Sequence, residues 1–307
     1  DRARGADAYV TLEPCNHYGR TPPCTEALIR AGVARVFIGI EDPHPLVDGR
    51  GIQRLREHGI EVEVGVLREQ CRRVHEDFIH YVRTNRPFVV GKIAQSLDGR
   101  VATRTGESQW ITGEVARQRG HALRNRLDAI AVGVGTVLAD DPSLTCRIED
   151  GRDPIRVVLD THGRTPVDAK IVSLALESSA PTWILVGEEA PESRIEKLKE
   201  SGVEIVRCAT RDGRLWLDDV LVRLGERDVL SLLVEGGPSV LGAFRDRNLL
   251  NKMFIFMAPK LIGGKDSLSS VGAVGADHLN EASDLEVVDT EWLGDDLMLT
   301  AYPKEIS

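Results

Sequence analysis

The 307-residue sequence predicts an α/β chain of two domains. Three observations carry this expectation. Strand-like and helix-like segments alternate along the whole length, a break at Thr84-Asn85-Arg86-Pro87 interrupts the alternation, and the chain is longer than one ordinary core requires.

In the first part, AYVTL (8–12), ARVFIGI (34–40) and IEVEVGV (60–66) read as strands. TEALIRAG (25–32) and GIQRLREHG (51–59) lie between them with helical spacing, and residues 69–83 form an amphipathic stretch. This β-α-β-α-β-α series predicts a parallel or mixed sheet in a first domain over residues 1–83. Proline disfavours helical geometry in the residue before it, so the boundary is placed at the Thr84-Asn85-Arg86-Pro87 break.

A longer series follows and predicts a second α/β domain over 87–303. PFVVGKIAQSLDG (87–99) is a strand and loop, 112–126 a helix, and DAIAVGV (128–134) and IRVVLD (155–160) are strands. TWILVG (182–187), a helix at 192–201, VEIVRC (203–208) and a helix near 217–224 come next. VLSLLVEGG (229–237) and KMFIFMAP (252–259) are further strands, and two closing strands are expected around 285–292 and 297–302. No internal repeat or heptad run is apparent.

A formal net charge of −9 leaves no basic field for a nucleic-acid backbone, so no nucleic-acid partner is expected and any phosphate site must be built locally. Five widely spaced cysteines do not make a disulfide framework and read as reduced thiols of a cytoplasmic protein. The first residues have no apolar leader pattern and no long apolar run appears later, so no membrane association is expected.

EPCNHYGRTPPC (13–24) places Cys15 and Cys24 on either side of a loop. A catalytic zinc takes three protein ligands and a water, and these thiolates supply two. The Pro-Cys step resembles the zinc-dependent nucleobase deaminases, whose signature also needs H-x-E for the third ligand and the proton shuttle. None of the eight histidines has a glutamate two residues on. Without that glutamate nothing moves protons between zinc-bound water and leaving ammonia, so the chain as written is expected not to deaminate. A bare pair of cysteines is equally compatible with simple packing.

The whole string TLEPCNHYGRTPPC, with eight residues between its cysteines, resembles the bifunctional riboflavin-biosynthesis deaminase/reductase family, and the likeness runs through the rest of the chain. It implies a cytidine-deaminase-like domain, N-terminally truncated, followed by a dihydrofolate-reductase-like domain. A chain opening on Asp1 rather than Met reads as a fragment, with the missing His and Glu expected upstream. The resemblance further implies NADPH as cofactor, zinc on Cys15 and Cys24, a phosphorylated aminopyrimidine as substrate, and a homo-oligomer.

The second-domain motifs follow in order. KIAQSLDGRVA (92–102) is a strand running into an Asp-Gly turn that lets a cofactor approach the backbone, with Ala94 as the implied contact. GESQWITG (106–113) combines hydroxyls with an indole, and the resemblance assigns Ser108 to substrate and Trp110 to cofactor. The residues alone also allow a core tryptophan with Thr112 as helix N-cap.

In HALRNRLDAIAVGVGTVLADDPSLTCR (121–147) the VGVG lacks the third glycine of a dinucleotide fingerprint, so a Rossmann reading fails. Thr136 and Asp140, four apart on a short helix, share one face and are the implied cofactor contacts. Arg124 and Arg147 suit a ribose phosphate, and Leu144 joins them as an implied substrate contact. LVEGGPSVLGAF (233–244) ends a strand in Glu235, an implied substrate carboxylate, and Gly236-Gly237 then leaves backbone N–H groups free for the cofactor pyrophosphate. A ligand-free strand-to-helix turn would read the same way. VLDTHGRTP (158–166) adds Thr161 as a cofactor contact and Arg164 for a 2′-phosphate. Asp140 is expected near the reacting centre as the catalytic candidate.

Three rivals remain at this point: a working zinc hydrolase, a nucleic-acid base deaminase, and a first domain that serves only assembly. The missing H-x-E opposes the first, and the charge and the long cysteine spacer oppose the second.

Overall fold

The computed structural model describes residues 2–19 and 21–304. Asp1 and Arg20 lie outside the described residues. The chain divides into two compact units, Asp1–Arg86 and Pro87–Ser307.

In the first unit β1 (Asp7–Leu12), β2 (Arg35–Ile40) and β3 (Glu61–Val64) form a parallel sheet in the order β1-β2-β3. Their connections are α1 (Cys24–Ala31) and α2 (Arg50–Glu57), and Val36, Ile38, Ile52 and Leu55 fill the space between helix and sheet. The single amphipathic stretch expected over 69–83 is two helices, α3 (Arg68–Val74) and α4 (Glu76–Thr84), which meet at His75.

The second unit opens with β4 (Phe88–Ser96), α5 (Glu114–Arg126), β5 (Ala129–Gly133), α6 (Val134–Asp140) and β6 (Ile155–Leu159). There follow α7 (Lys170–Glu177), β7 (Thr182–Gly187), α8 (Glu192–Glu200), β8 (Glu204–Cys208) and the short strands β9 (Thr210–Arg211) and β10 (Arg214–Leu215). The unit closes with α9 (Leu217–Gly225), β11 (Ser231–Val234), α10 (Pro238–Asp246), β12 (Lys252–Ala258), β13 (Leu285–Leu293) and β14 (Asp296–Pro303).

Among the described residues these strands build a nine-stranded sheet in the order β13-β14-β12-β4-β11-β5-β6-β7-β8. It is parallel from β12 to β8, and the two closing strands run antiparallel. Parallel strands covered on both faces read as nearly continuous apolar runs, which explains AIAVG and TWILVG. Residues of α5, α6, α7 and α8 pack on one face, with Val90, Ile130, Val158 and Leu233 of the sheet. Residues of α9 and α10 pack on the other, with Val89, Ala131, Val157 and Val234. Period-two alternation therefore puts Lys92 of β4 on the α5 face, with Val90 and Ala94.

The helix expected from Thr112 begins at Glu114, and Gly113 occupies its N-cap without a side-chain cap. Thr112 is buried and Trp110 is 60% exposed, so a core tryptophan with a Thr112 cap is not what forms. No helix among the described residues is long and apolar enough to cross a membrane.

Candidate active site

The carboxyl edge of a parallel sheet is where loops and helix N-termini converge on a ligand. Glu235 follows β11 on this edge, and its side chain is only 7% exposed. Arg124, in the last turn of α5, places Nη2 2.5 Å from Glu235 Oε2 and donates through Nη1 to the Thr145 carbonyl. Lys92 Nζ stands 3.8 Å from Glu235 Oε1, an oxygen with no hydrogen-bond partner. Burial pushes the Glu235 carboxyl up, but the Arg124 guanidinium and the Lys92 ammonium outweigh it and hold the group below the ordinary carboxylate range. Glu235 is thus a buried anion between two cations, with one oxygen free.

Two adjoining cavities open at this point. One, of about 350 Å³, is lined by Trp110, Arg124, Thr136, Asp140, Leu144, Arg147 and Glu235 among others. The second, of about 120 Å³, shares Trp110, Arg124, Arg147 and Glu235 and adds Lys92, Arg117 and His121. Seven positions singled out in the sequence therefore come together at one place. Leu144 is buried in the α5-side core and is held at a positive φ of 53°.

Gly236 and Gly237 lie between β11 and α10, outside the residues that line the two cavities. The Gly237 N–H donates to the Thr136 hydroxyl at 3.2 Å, tying the N-terminus of α10 to α6. A Cβ on Gly237 would stand 3.5 Å from that hydroxyl, and one on Gly236 would press within 3.0 Å of Val240, so the pair keeps a cradle open that side chains would narrow. These features fit an anionic cofactor segment at paired helix N-termini. Besides the glycine pair and Arg164, three expected residues line neither cavity: Ala94 packs against the core, Ser108 is half-buried in its loop, and Thr161 accepts the Gly187 N–H through its carbonyl at the end of β6.

Several groups at the site carry no mark in the sequence. Lys260 Nζ donates to the carbonyls of Trp110 and Ile111 at 3.0 and 2.7 Å, and the Arg117 guanidinium lies 4.8 Å from the centre of the Trp110 ring. The exposed indole is thus held in place from two sides. Burial, with Arg124 and Arg147 nearby, pushes the His121 imidazole below its ordinary value, and its Nδ1 is buried without a partner. Lys92 alone leaves a detectable signal, a lone charge in an otherwise apolar strand.

A larger cavity of about 930 Å³ lies elsewhere in the same unit, beside Leu241, Met253 and Ile255. It contains none of the residues around Glu235.

In the first unit Cys15 and Cys24 do meet. The Cys24 N–H donates to Cys15 Sγ at 3.3 Å, and a hydrogen bond between the thiols, together with burial, pushes Cys24 up. No set of three potential metal ligands exists among the described residues, so the expected zinc site is not formed by them. Two thiols do not make a zinc centre, and no step is derived through the metal. Glu13 of the same motif is structural. Its carboxylate accepts the N–H groups of Asp42, Gly49, Gly51 and Ile52, pinning the segment that leads into α2.

The RibD C-terminal domain family matches residues 87–299. The riboflavin biosynthesis protein RibD of Actinobacillus pleuropneumoniae is 43% identical over 96% of this chain and 78% of its own length. The chain belongs to the RibD family. The solved Thermotoga maritima diaminohydroxyphosphoribosylaminopyrimidine deaminase/5-amino-6-(5-phosphoribosylamino)uracil reductase is 38% identical, covers 98% of this chain and 80% of its own, and superposes with a TM-score of 0.83. For fold alone, a riboflavin biosynthesis reductase of Saccharomyces cerevisiae, 24% identical, covers 75% of this chain and 99% of its own with a TM-score of 0.57. This RibD chain is a reductase of riboflavin biosynthesis, and its architecture is the expected one, a deaminase-like unit followed by a dihydrofolate-reductase-like unit.

Proposed function

We propose that the second unit uses NADPH to reduce the ribosyl side chain of 5-amino-6-(5-phosphoribosylamino)uracil to a ribityl chain. One observation carries the reading: a buried carboxylate with a free oxygen, Glu235 Oε1, shares a small cavity with Arg147, a cation that carries no ion pair among the described residues. A uracil ring presents both N–H donors and carbonyl acceptors. Glu235 accepts from the former and Lys92 donates to the latter, while Ser108 orients the sugar.

Arg147 is the principal ligand of the ribose phosphate. Arg124 is already committed to Glu235 and to the Thr145 carbonyl, so it adds charge and keeps the carboxylate ionised rather than clasping the phosphate by itself. Ring opening of the ribosylamine gives an imine at C1′. When bound, NADPH would supply a hydride to that carbon, and the imine nitrogen would take a proton. Asp140, exposed at the end of α6 and lining the cavity, serves that proton transfer. Trp110, Thr136, Gly236 and Gly237 hold the cofactor, joined by Ala94 and Thr161.

Arg147→Gln tests the assignment. The expected result is a rise in KM for the phosphorylated substrate of about tenfold or more, with the KM for a dephosphorylated analogue unchanged. An equal change for both would remove Arg147 from the phosphate site.

A further inference from the structure

The smaller of the two cavities beside Glu235 carries more positive charge than its carboxylate can balance. Lys92 of β4, Arg117 and Arg124 of α5, and Arg147 of the segment after α6 line it, and among the described residues Glu235 is its only acid. Lys92 and Arg124 face Glu235, which leaves the charge of Arg147 uncompensated. One wall is a single face of α5, formed by Arg117, Gly120, His121 and Arg124. Gly120 is buried in the middle of this helix, where glycine costs about 1 kcal/mol relative to alanine. A Cβ there would meet no atom within 4 Å, so the space beside it is open to a ligand.

His121 stands next to that space. Its Nδ1 is buried without a hydrogen-bond partner. Its carbonyl accepts the Cys146 thiol at 3.5 Å, which ties the residue before Arg147 to this turn of the helix. Burial foremost, then Arg124 and Arg147, hold the imidazole below its ordinary value against the pull of Glu235 and the Thr145 carbonyl, so the ring is uncharged at neutral pH. A dianion placed against Arg147 reverses that field, because an opposite charge within about 4–6 Å favours the charged ring.

We propose that His121 is a further ligand of the substrate phosphate, which it binds by taking a proton from solvent as the dianion enters beside Arg147 and Arg124. The proposal rests on the phosphate reading of Arg147 given above. The charged ring offers two N–H donors where the neutral ring offers one. The empty pocket is spared a fifth cation, and the filled pocket gains it where the phosphate can use it.

Calorimetric titration of the full chain with ribose 5-phosphate, repeated near neutral pH in buffers of different ionisation enthalpy, counts the protons taken up. The second pKa of a phosphate monoester is about 6, so ionisation of the probe itself releases only roughly a tenth of a proton, in the opposite direction. The unaltered chain is expected to take up more than about half a proton for each phosphate bound. His121→Gln should abolish the uptake and weaken binding about tenfold, while His80→Gln, in the first unit, leaves both unchanged. Binding by the unaltered chain without net uptake, a result that needs no variant, would overturn the proposal, as would uptake that survives His121→Gln. If Arg147→Gln binds ribose 5-phosphate as tightly as the unaltered chain, or if the unaltered chain does not bind it, the phosphate reading itself falls, and the role of His121 with it.

Discussion

Arg124 and Glu235, 111 residues apart in sequence, form an ion pair at the carboxyl edge of the sheet in which both side chains are largely buried. Removing one member of such a pair leaves an uncompensated buried charge, at a cost of about 3–5 kcal/mol. Lys92, at 3.8 Å, compensates in part, so Arg124→Leu is expected at the lower end, about 3 kcal/mol. Chemical denaturation followed through the second unit measures this. A loss below about 1 kcal/mol would mean that Glu235 rests on Lys92 alone.

The Lys260 clamp makes a different kind of prediction. Its ammonium is solvent-exposed, so Lys260→Met should change stability by no more than about 0.5 kcal/mol. The Trp110 and Ile111 carbonyls nevertheless lose their common donor, and the exposed indole loses its placement. The expected outcome is a KM for cofactor raised severalfold with kcat little changed, and weaker quenching of tryptophan fluorescence when cofactor is added. Unaltered quenching would show that Arg117 alone positions the ring.

Asp98 ties the turn after β4 to the segment after β12. Its carboxylate accepts the Ser96 hydroxyl and the N–H groups of Ile262 and Gly263, and these bonds, the Ser96 one foremost, lower its pKa to about 2. A carboxyl lowered in the fold stabilises it above the ordinary value of 3.8, and that contribution is lost as pH falls through about 2. Asp98→Asn should therefore speed amide hydrogen exchange at Ile262 and Gly263 at neutral pH while leaving the central strands protected. Unchanged exchange at those two amides would contradict the tether.

His121 tests a less acidic window. Burial, then Arg124 and Arg147, lower its pKa from 6.5, while Glu235 and the Thr145 carbonyl pull the other way. Below 6.5 the unfolded chain takes up a proton that the folded chain refuses, so stability is full above that pH and declines as pH drops toward the folded value. His80 of the first unit is lowered too, chiefly by burial, so the slope must be assigned by difference. Stability measured against pH should be flatter for His121→Gln than for the unaltered chain, and identical slopes would remove His121 from the account.

Much of this was legible in the sequence because parallel strands buried on both faces leave apolar runs such as AIAVG and TWILVG. Glu235 and Gly236-Gly237 stood out because a charge and two glycines end such a run. His121 and Lys260 did not, and Lys92 showed only as a lone charge in an apolar strand. Their roles exist only once β4, α5 and the segment after β12 are brought together, and local spacing carries no record of that. The two-residue strands β9 and β10 were too short to leave a periodic signal. The Cys15–Cys24 pair was legible as a pair, yet among the described residues it gains no third ligand.

The most direct test of the account is NADPH oxidation by the purified chain supplied with 5-amino-6-(5-phosphoribosylamino)uracil. The account predicts one NADPH consumed for each ribitylamino product formed, and a large loss of turnover in Glu235→Gln. A folded chain that binds NADPH yet leaves that substrate unreduced would contradict it.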